Sequence, residues 1–216
     1  MGLIGRHDHQ RLLFCDERLW LVLLVKKRGG GYWIWKPYFN LKNVKQLTKL
    51  IEANIHGDEP SDKAATGRDG KQLKFLKTRY VFIHKLAKFL KPLLKQVYYI
   101  NDREFQWDVF NTFDDFDLCN YNVYSSKTKD NYEWHVDSTG ADVNFETKFT
   151  VLINLSDKKY NGGDFLYFQQ QEHNIVEFKN PGAVLMFKSY LNHKVTPVTS
   201  GTRKTLTIFI NGPRFK

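Results

Sequence analysis

Two histidines, an aspartate and an arginine carry the chemistry that this sequence offers. His135-Val136-Asp137 sets an imidazole and a carboxylate two positions apart. In a β-strand, residues two apart project from the same face, so both side chains reach one metal if the segment is a strand end. His193 stands 58 residues beyond His135, after the apolar run 183–187, where a neighbouring strand can bring it alongside. Two imidazoles and one carboxylate on one side of a metal, with the other positions open, form the ligand set of ferrous centres that activate dioxygen. Arg203 follows ten residues after His193. Its planar guanidinium matches a carboxylate bidentately and stays charged when buried, which suits the distal carboxylate of a 2-oxoglutarate cosubstrate. Thr205 lies on the same strand face and offers a hydroxyl donor.

Each of these residues has a plainer reading on its own. His135 and His193 would each pass for an ordinary strand histidine, and Arg203 for half of a structural salt bridge; their joint occurrence argues for a site. A second HxD, His56-Gly57-Asp58, sits in a Gly-, Asp- and Pro-rich loop with no His and Arg downstream at matching spacing, and reads as a turn. His7-Asp8-His9 reads as a solvated tail, and His84 and His173 as structural or exposed residues. Trp134, next to His135, is expected to pack rather than to reach the metal.

The elements that must position these groups follow from the hydrophobic pattern. From about Glu104 onward, short aromatic or β-branched segments alternate with turns: 105–110, 118–124, 132–136, 149–155, 164–168, 175–178, 183–187, 194–198 and 204–210. Turn signals at Asn161-Gly162-Gly163, Asn180-Pro181-Gly182 and Ser200-Gly201 space these strands as in a sandwich or jelly roll. Ahead of them, Leu41, Val44, Leu47 and Ile51 mark a helix over 41–53. A longer helical pattern runs from Leu76 to Val97, with a lysine-rich outer face and Pro92 expected to kink or end it near Lys91. Lys26-Lys27-Arg28 followed by three glycines marks residues 1–31 as an N-terminal extension, so the expected layout is a domain over 32–216, with helical support at 41–97 and a β core at 105–213.

Composition sets the frame. A chain of 216 residues with 42% hydrophobic content, 17 Phe, 11 Tyr and 5 Trp is long and apolar enough for one full core. Cys15 and Cys119 are too few for a disulfide framework, and the expected setting is the cytoplasm. No apolar run approaches the roughly 18–20 residues of a membrane span. The net charge of +10 lies wholly before residue 111: that part holds 21 basic and 11 acidic residues, the remainder 12 of each. Such asymmetry fits a nucleic acid or acidic partner as well as it fits a solvated basic helix face.

The runs Tyr132-Glu-Trp-His-Val-Asp-Ser, Asn161-Gly-Gly-Asp-Phe-Leu, Pro181-Gly-Ala-Val-Leu-Met-Phe and His193-Lys-Val-Thr-Pro-Val-Thr-Ser-Gly-Thr-Arg-Lys-Thr-Leu, in that order, resemble the prolyl 4-hydroxylase-like Fe(II)/2-oxoglutarate-dependent dioxygenases over roughly 105–213. The resemblance implies a double-stranded β-helix (jelly roll) with N-terminal helices packed on one sheet. It implies His135, Asp137 and His193 as iron ligands, Arg203 and Tyr124 at the distal 2-oxoglutarate carboxylate, and a mobile flap at Ser125 to Asn131. Where relatives carry another tyrosine before a Leu-Asn pair, this chain has Asn154-Leu155-Ser156. The implied reaction consumes dioxygen and 2-oxoglutarate, supported by ascorbate, and hydroxylates a side chain of a protein or peptide, proline first. Oxidation of a nucleic-acid base or methyl group, or a non-catalytic β-helix that only binds, are the alternatives.

Overall fold

A computed structural model describes residues 31–56, 70–113, 117–138 and 144–214. The expected extension at 1–31, apart from Gly31, lies outside the described residues, as do His7, Asp8 and His9. Fifteen strands and helices follow one another along the described chain. They are β1 (Tyr32–Trp35), α1 (Leu41–Glu52), β2 (Lys74–Phe75), β3 (Lys77–Phe82), α2 (Ala87–Ile100), β4 (Leu118–Ser125), β5 (Asn131–His135), β6 (Glu146–Asn154), β7 (Asn161–Gly162), β8 (Phe165–Gln169), β9 (Gln171–Asn174), β10 (Val184–Lys188), β11 (His193–Val195), β12 (Val198–Ser200) and β13 (Thr202–Gly212). The major sheet has the order β1-β10-β6-β13-β4-β3 and the minor sheet β2-β5-β11-β8-β9, with β12 and β7 paired separately. The sheets stack as the expected double-stranded β-helix, with helices on the outer face of the major sheet.

Strand periodicity divides the major sheet cleanly. Phe149, Val151, Ile153, Val184, Met186, Leu206, Ile208 and Ile210 point outward and form one core with Val44, Leu47 and Ile51 of α1 and Leu90, Leu93, Leu94 and Val97 of α2. The residues between them, Leu152, Leu185 and Phe187, point inward and meet Phe165, Tyr167 and Val195 of the minor sheet. Because helices cover one face and the second sheet the other, β6 and β10 are buried on both sides and read as continuous apolar runs. Helix α1 starts where Asn40 accepts a hydrogen bond from Asn43 N at 2.9 Å.

The helical support is shorter than the sequence pattern predicts. Residues 77–82 are a strand at the edge of the major sheet, in register with β4 from Lys77↔Val123 to Phe82↔Leu118. Leu76, Tyr80 and Ile83 happen to recur at helical spacing, yet Thr78, Tyr80, Val81 and Phe82 favour the strand, and Thr78 Oγ1 donates to Asn122 Oδ1 at 2.7 Å. A 3-10 turn over Ile83–Leu86 then leads into α2. That helix runs through Pro92 to Ile100 rather than ending near Lys91. Pro92 and Lys88, whose carbonyl loses its intrahelical donor, both lie on the exposed side of the helix, where an open carbonyl costs least, and the buried leucines hold the helix.

Two expected strands are also absent. Residues 105–110 follow a π-turn over Asn101–Phe105 that closes on left-handed Gln106, φ 54°. They lie extended across the sheet, where Trp107 stacks on Phe149 at 4.7 Å, and join no ladder. Residues 176–179 form a 3-10 turn in place of the strand expected at 175–178. The segment Ser125 to Asn131, expected as a flap, forms the hairpin turn between β4 and β5, with Lys127, Thr128 and Lys129 exposed at its tip. Asp130 accepts from Ser125 N at 2.8 Å and from Thr128 Oγ1 at 2.6 Å, and its carbonyl accepts from Val198 N at 3.0 Å.

Candidate active site

The site lies between the two sheets. Register pairing sets His193 of β11 directly opposite His135 of β5. Asp137 follows β5 by two residues, held by its own N–H donating to the Ser189 carbonyl at 2.8 Å. Asp137 Oδ1 lies 3.6 Å from His135 Nε2, and Oδ2 lies 3.7 Å from His193 Nε2. One ligand atom from each of the three residues falls within 4.8 Å of the other two, which is the spacing of a metal-binding triad.

Each imidazole is oriented by its other nitrogen. Nδ1 of His135 is 2.7 Å from the Glu133 carbonyl and Nδ1 of His193 is 2.8 Å from the Leu191 carbonyl. A proton on Nδ1 satisfies both contacts and leaves each Nε2 lone pair aimed at the common point. Burial, together with the opposing histidine, pushes His135 down to about 4, and burial pushes His193 down to about 4, so both rings are neutral at neutral pH and available as ligands. Burial raises the Asp137 carboxyl, while His135 and a hydrogen bond from Thr150 pull it back.

Aromatic walls fix the rings further. Phe165 stacks on His193 at 5.2 Å and Phe187 meets it edge-on at 4.7 Å. Tyr132 stacks on His135 at 3.5 Å and 12° although it is three residues away, a spacing that ordinary alternation would place on opposite faces. The register between β5 and β11 slips between these positions, from His193↔His135 to Val195↔Tyr132, and this bulge turns Tyr132 into the cleft. Trp134 faces away, as expected, against Phe168 at 6.3 Å and beneath Lys194 Nζ at 4.5 Å.

Arg203 shares the same cleft, among walls that include Tyr124, Leu152, Thr205 and Phe209. It is 1% exposed, and among the described residues none of its three guanidinium nitrogens has a hydrogen-bond partner. The group lies over the Tyr124 ring at 4.7 Å and the Phe178 ring at 5.8 Å. Tyr124 is its cross-strand partner in the β4–β13 ladder. Burial raises the Tyr124 phenol, and the charge of the adjacent guanidinium, together with its close approach to the phenol oxygen, draws it back. A buried cation with five unanswered donors is costly unless an anion completes it. Thr205 is 2% exposed on the same strand face. The departure at Asn154 is structural: its side chain donates to the Phe178 carbonyl at 2.8 Å and accepts from Ser156 N at 2.9 Å.

Gly163 makes room for the arginine. Its φ is +58°, and a Cβ there would stand 2.9 Å from Arg203 Cδ and 3.0 Å from Val198 Cγ2. Gly163→Ala is therefore expected to displace the guanidinium and, given the role that the resemblance implies for Arg203, to raise the concentration of 2-oxoglutarate needed for half-maximal turnover several-fold. It should also cost roughly 1 kcal/mol of stability from the left-handed backbone. Steady-state kinetics and a thermal melt measure the two effects separately.

Three contributors were not visible in the sequence. Thr150 Oγ1 donates to Asp137 Oδ2 at 2.6 Å, the Ser189 carbonyl holds the Asp137 backbone, and Lys74 lies 7% exposed in the cleft wall. Thr150 had a usable signal, since it sits one residue from the outward Phe149 and Val151 and so must face inward. Removing its hydroxyl in Thr150→Val is expected to weaken divalent-metal binding by roughly 10–100-fold, as for other partners that orient a ligand. A Mn(II) or Co(II) titration reads this directly. Among the described residues the other histidines stay apart from the triad. His56 pairs by backbone with Tyr80, His84 stacks on Phe82 at 5.6 Å, and His173 stacks on Tyr167 at 4.9 Å.

Residues 119–211 match the family model of the 2OG-Fe(II) oxygenase superfamily. No curated protein matches the chain. Among solved structures, the chain is similar to a prolyl-4-hydroxylase from Pseudomonas putida, with TM-score 0.59 and 16% identity over 86% of this chain and 94% of that one. It is also similar to the viral collagen prolyl hydroxylase of Paramecium Bursaria Chlorella virus-1, solved as a 2OG complex, with TM-score 0.58 and 16% identity over 85% and 97%. A third is a prolyl hydroxylase from Trichoplax adhaerens, solved with a peptide fragment of the hypoxia inducible factor oxygen degradation domain, with TM-score 0.59 and 14% identity over 90% and 89%. At these identities the likeness is one of fold.

Proposed function

We propose that this chain, whose residues 119–211 match the family model of the 2OG-Fe(II) oxygenase superfamily, is a prolyl 4-hydroxylase-like oxygenase that hydroxylates a side chain of a protein or peptide substrate, with proline the first choice. One observation carries the reading: a His-Asp-His cluster and a buried guanidinium without a hydrogen-bond partner line a single cleft. The donor set suits Fe(II), and the arginine suits the far carboxylate of a five-carbon dicarboxylate.

In this reading His135, Asp137 and His193 hold iron, and Arg203 grips 2-oxoglutarate with Tyr124 and Thr205 as hydroxyl partners. Bound iron and 2-oxoglutarate together supply the oxidising power: dioxygen is split between succinate and the hydroxylated product, and carbon dioxide leaves. The protein's own part is placement. Nδ1 contacts to Glu133 and Leu191 fix the imidazoles, and Thr150 and Ser189 fix the carboxylate. Phe165, Phe187 and Leu152 keep water from the buried end. Keeping Asp137 favours hydroxylation over halogenation, which needs that position vacated for halide.

Ascorbate is proposed to support turnover by keeping iron reduced. The proposed setting is the cytoplasm, where Cys119, buried and with its thiol pushed up by desolvation, stays unreactive. Among the described residues no helix is long and apolar enough to cross a membrane.

The substrate test is mass spectrometry of proline-rich peptides and of oligonucleotides after incubation with enzyme, Fe(II), ascorbate and 2-oxoglutarate. A gain of one oxygen on prolyl residues is the expected outcome. Oxygen on the oligonucleotides alone would transfer the assignment to nucleic-acid oxidation, and absence of succinate in every incubation would leave a β-helix that binds without catalysing.

A further inference from the structure

The cleft opens among the inward residues of the major sheet, whereas α1 and α2 cover its outer face, so the solvent side of both helices is directed away from the catalytic groups. Among the described residues that side is basic, with Lys91 Nζ lying over the Phe113 ring at 5.6 Å. Lys42, Lys45 and Lys49 on α1 recur at i, i+3 and i+7, and Lys88, Lys91 and Lys95 on α2 repeat the same spacing. All six are exposed, and neighbours three and four apart share one helix face. Among the described residues no carboxylate pairs with any of them. Helix α2 has no acidic residue, and the single one in α1, Glu52, is engaged by Tyr121 Oη at 2.9 Å and Lys204 Nζ at 3.2 Å.

The α2 row continues into Tyr99, four residues past Lys95 and 46% exposed. Arg103 lies over that ring at 5.5 Å and donates to its hydroxyl at 3.0 Å. Asp102 and Glu104 flank Arg103 and close the positive stripe at this end. From Lys88 to Tyr99 the stripe spans about 16 Å at 1.5 Å per residue, longer than the ~8 Å screening length at physiological salt. It therefore behaves as an array of separate charges that a polymer of anions satisfies better than a single ion does.

The array suits one kind of polyanion over another. A membrane surface is gripped by helices that present several tryptophan, phenylalanine or leucine side chains beside their cations, but here Leu41 is the one exposed aliphatic side chain of the two helices, and Gln46, Pro92 and Gln96 fill the gaps between lysines. An exposed aromatic ring backed by arginine at the end of a cationic track is the arrangement on which an unpaired base stacks while its phosphates follow the charges. We infer that the outer face of α1 and α2 is a docking surface for single-stranded nucleic acid, on the side of the molecule opposite the oxygenase cleft. It tethers the enzyme and does not feed the cleft, so this inference stands independently of the substrate proposed above.

The test is fluorescence anisotropy of a labelled single-stranded oligonucleotide with the full chain, over a salt series, beside a duplex of the same sequence, phosphatidylserine vesicles and polyglutamate. If the six lysines each neutralise a phosphate, log K falls against log salt with a slope near −4, from about 0.7 per contact. The triple change Lys88→Glu, Lys91→Glu, Lys95→Glu is expected to lower affinity at least tenfold and to cut the slope by about 2. Tyr99→Ala is expected to weaken the single strand about fivefold or more and the duplex little. Both variants should keep wild-type melting and wild-type decarboxylation of 2-oxoglutarate, because none of these residues lines the cleft. Absence of binding at about 50 mM salt, a triple variant that binds like the parent, or vesicles or polyglutamate binding as tightly as the oligonucleotide would each overturn the inference.

Discussion

Asp137→Ala is expected to abolish succinate formation from 2-oxoglutarate, and His193→Ala to do the same. The expected loss exceeds the roughly 10–100-fold that follows removal of a group which only orients a metal ligand, because each change removes a proposed ligand itself. Asp137 supplies the only negative charge of the triad and stands within 3.7 Å of both imidazole Nε2 atoms. Without it two neutral rings remain, a weaker and less charge-balanced site for a divalent ion. The effect separates from misfolding by its sign in the metal-free protein. Burial already disfavours the carboxylate, so its deletion leaves stability unchanged or raised, whereas a folding defect would lower the melting temperature. Metal binding measured by Co(II) absorbance should collapse in the same variants while circular dichroism is preserved. Succinate formation at the parent rate in either variant would remove the triad from the mechanism.

The site was more legible than the frame around it, and the reason is physical. His135 and Asp137 are neighbours in sequence, and two-residue alternation in a strand is enough to predict that they converge. Arg203 and Thr205 obey the same rule on β13, and the Arg203↔Tyr124 pairing follows once β4 and β13 are adjacent. Alternation along β6 turns Thr150 inward, but its meeting with Asp137 is not written in the pattern, because it depends on Asp137 being held by the Ser189 carbonyl. Tyr132 was hidden for a different reason. Its entry into the cleft depends on a one-residue slip between β5 and β11, and a sequence pattern carries no register. The misread strand at 77–82 shows the limit of periodicity itself: over six residues, apolar spacing of three and four fits a helix and a half-buried strand alike, and the pairing with β4 decides. Likewise the aromatic segment 105–110 has strand composition because it packs on Phe149, yet left-handed Gln106 sets it outside the ladder.

Replacing Arg203 should push activity and stability in opposite directions. In the protein without cosubstrate its guanidinium is buried, charged and without a hydrogen bond, held by ring faces at 4.7 and 5.8 Å and by the space that Gly163 leaves. Such a group burdens the folded state, since transfer of a charge from water is repaid only when a partner completes its hydrogen bonds. Arg203→Met keeps much of the volume and removes the charge, so the metal-free, cosubstrate-free protein should melt at the same temperature as the parent or higher. The same change would delete one half of the proposed buried charge pair with 2-oxoglutarate, a loss of about 2–5 kcal/mol in comparable pairs, which corresponds to a roughly thirtyfold to several-thousandfold rise in the cosubstrate needed. Adding 2-oxoglutarate with Mn(II) should therefore raise the melting temperature of the parent, by mass action on the folded state, and leave that of Arg203→Met almost unmoved. Arg203→Lys restores charge without the bidentate fork and should fall between them in both measurements. If Arg203→Met instead melted well below the parent and still responded to 2-oxoglutarate as the parent does, the guanidinium would be a structural element of the β4–β13 ladder and the cosubstrate's anchor would lie elsewhere in the cleft.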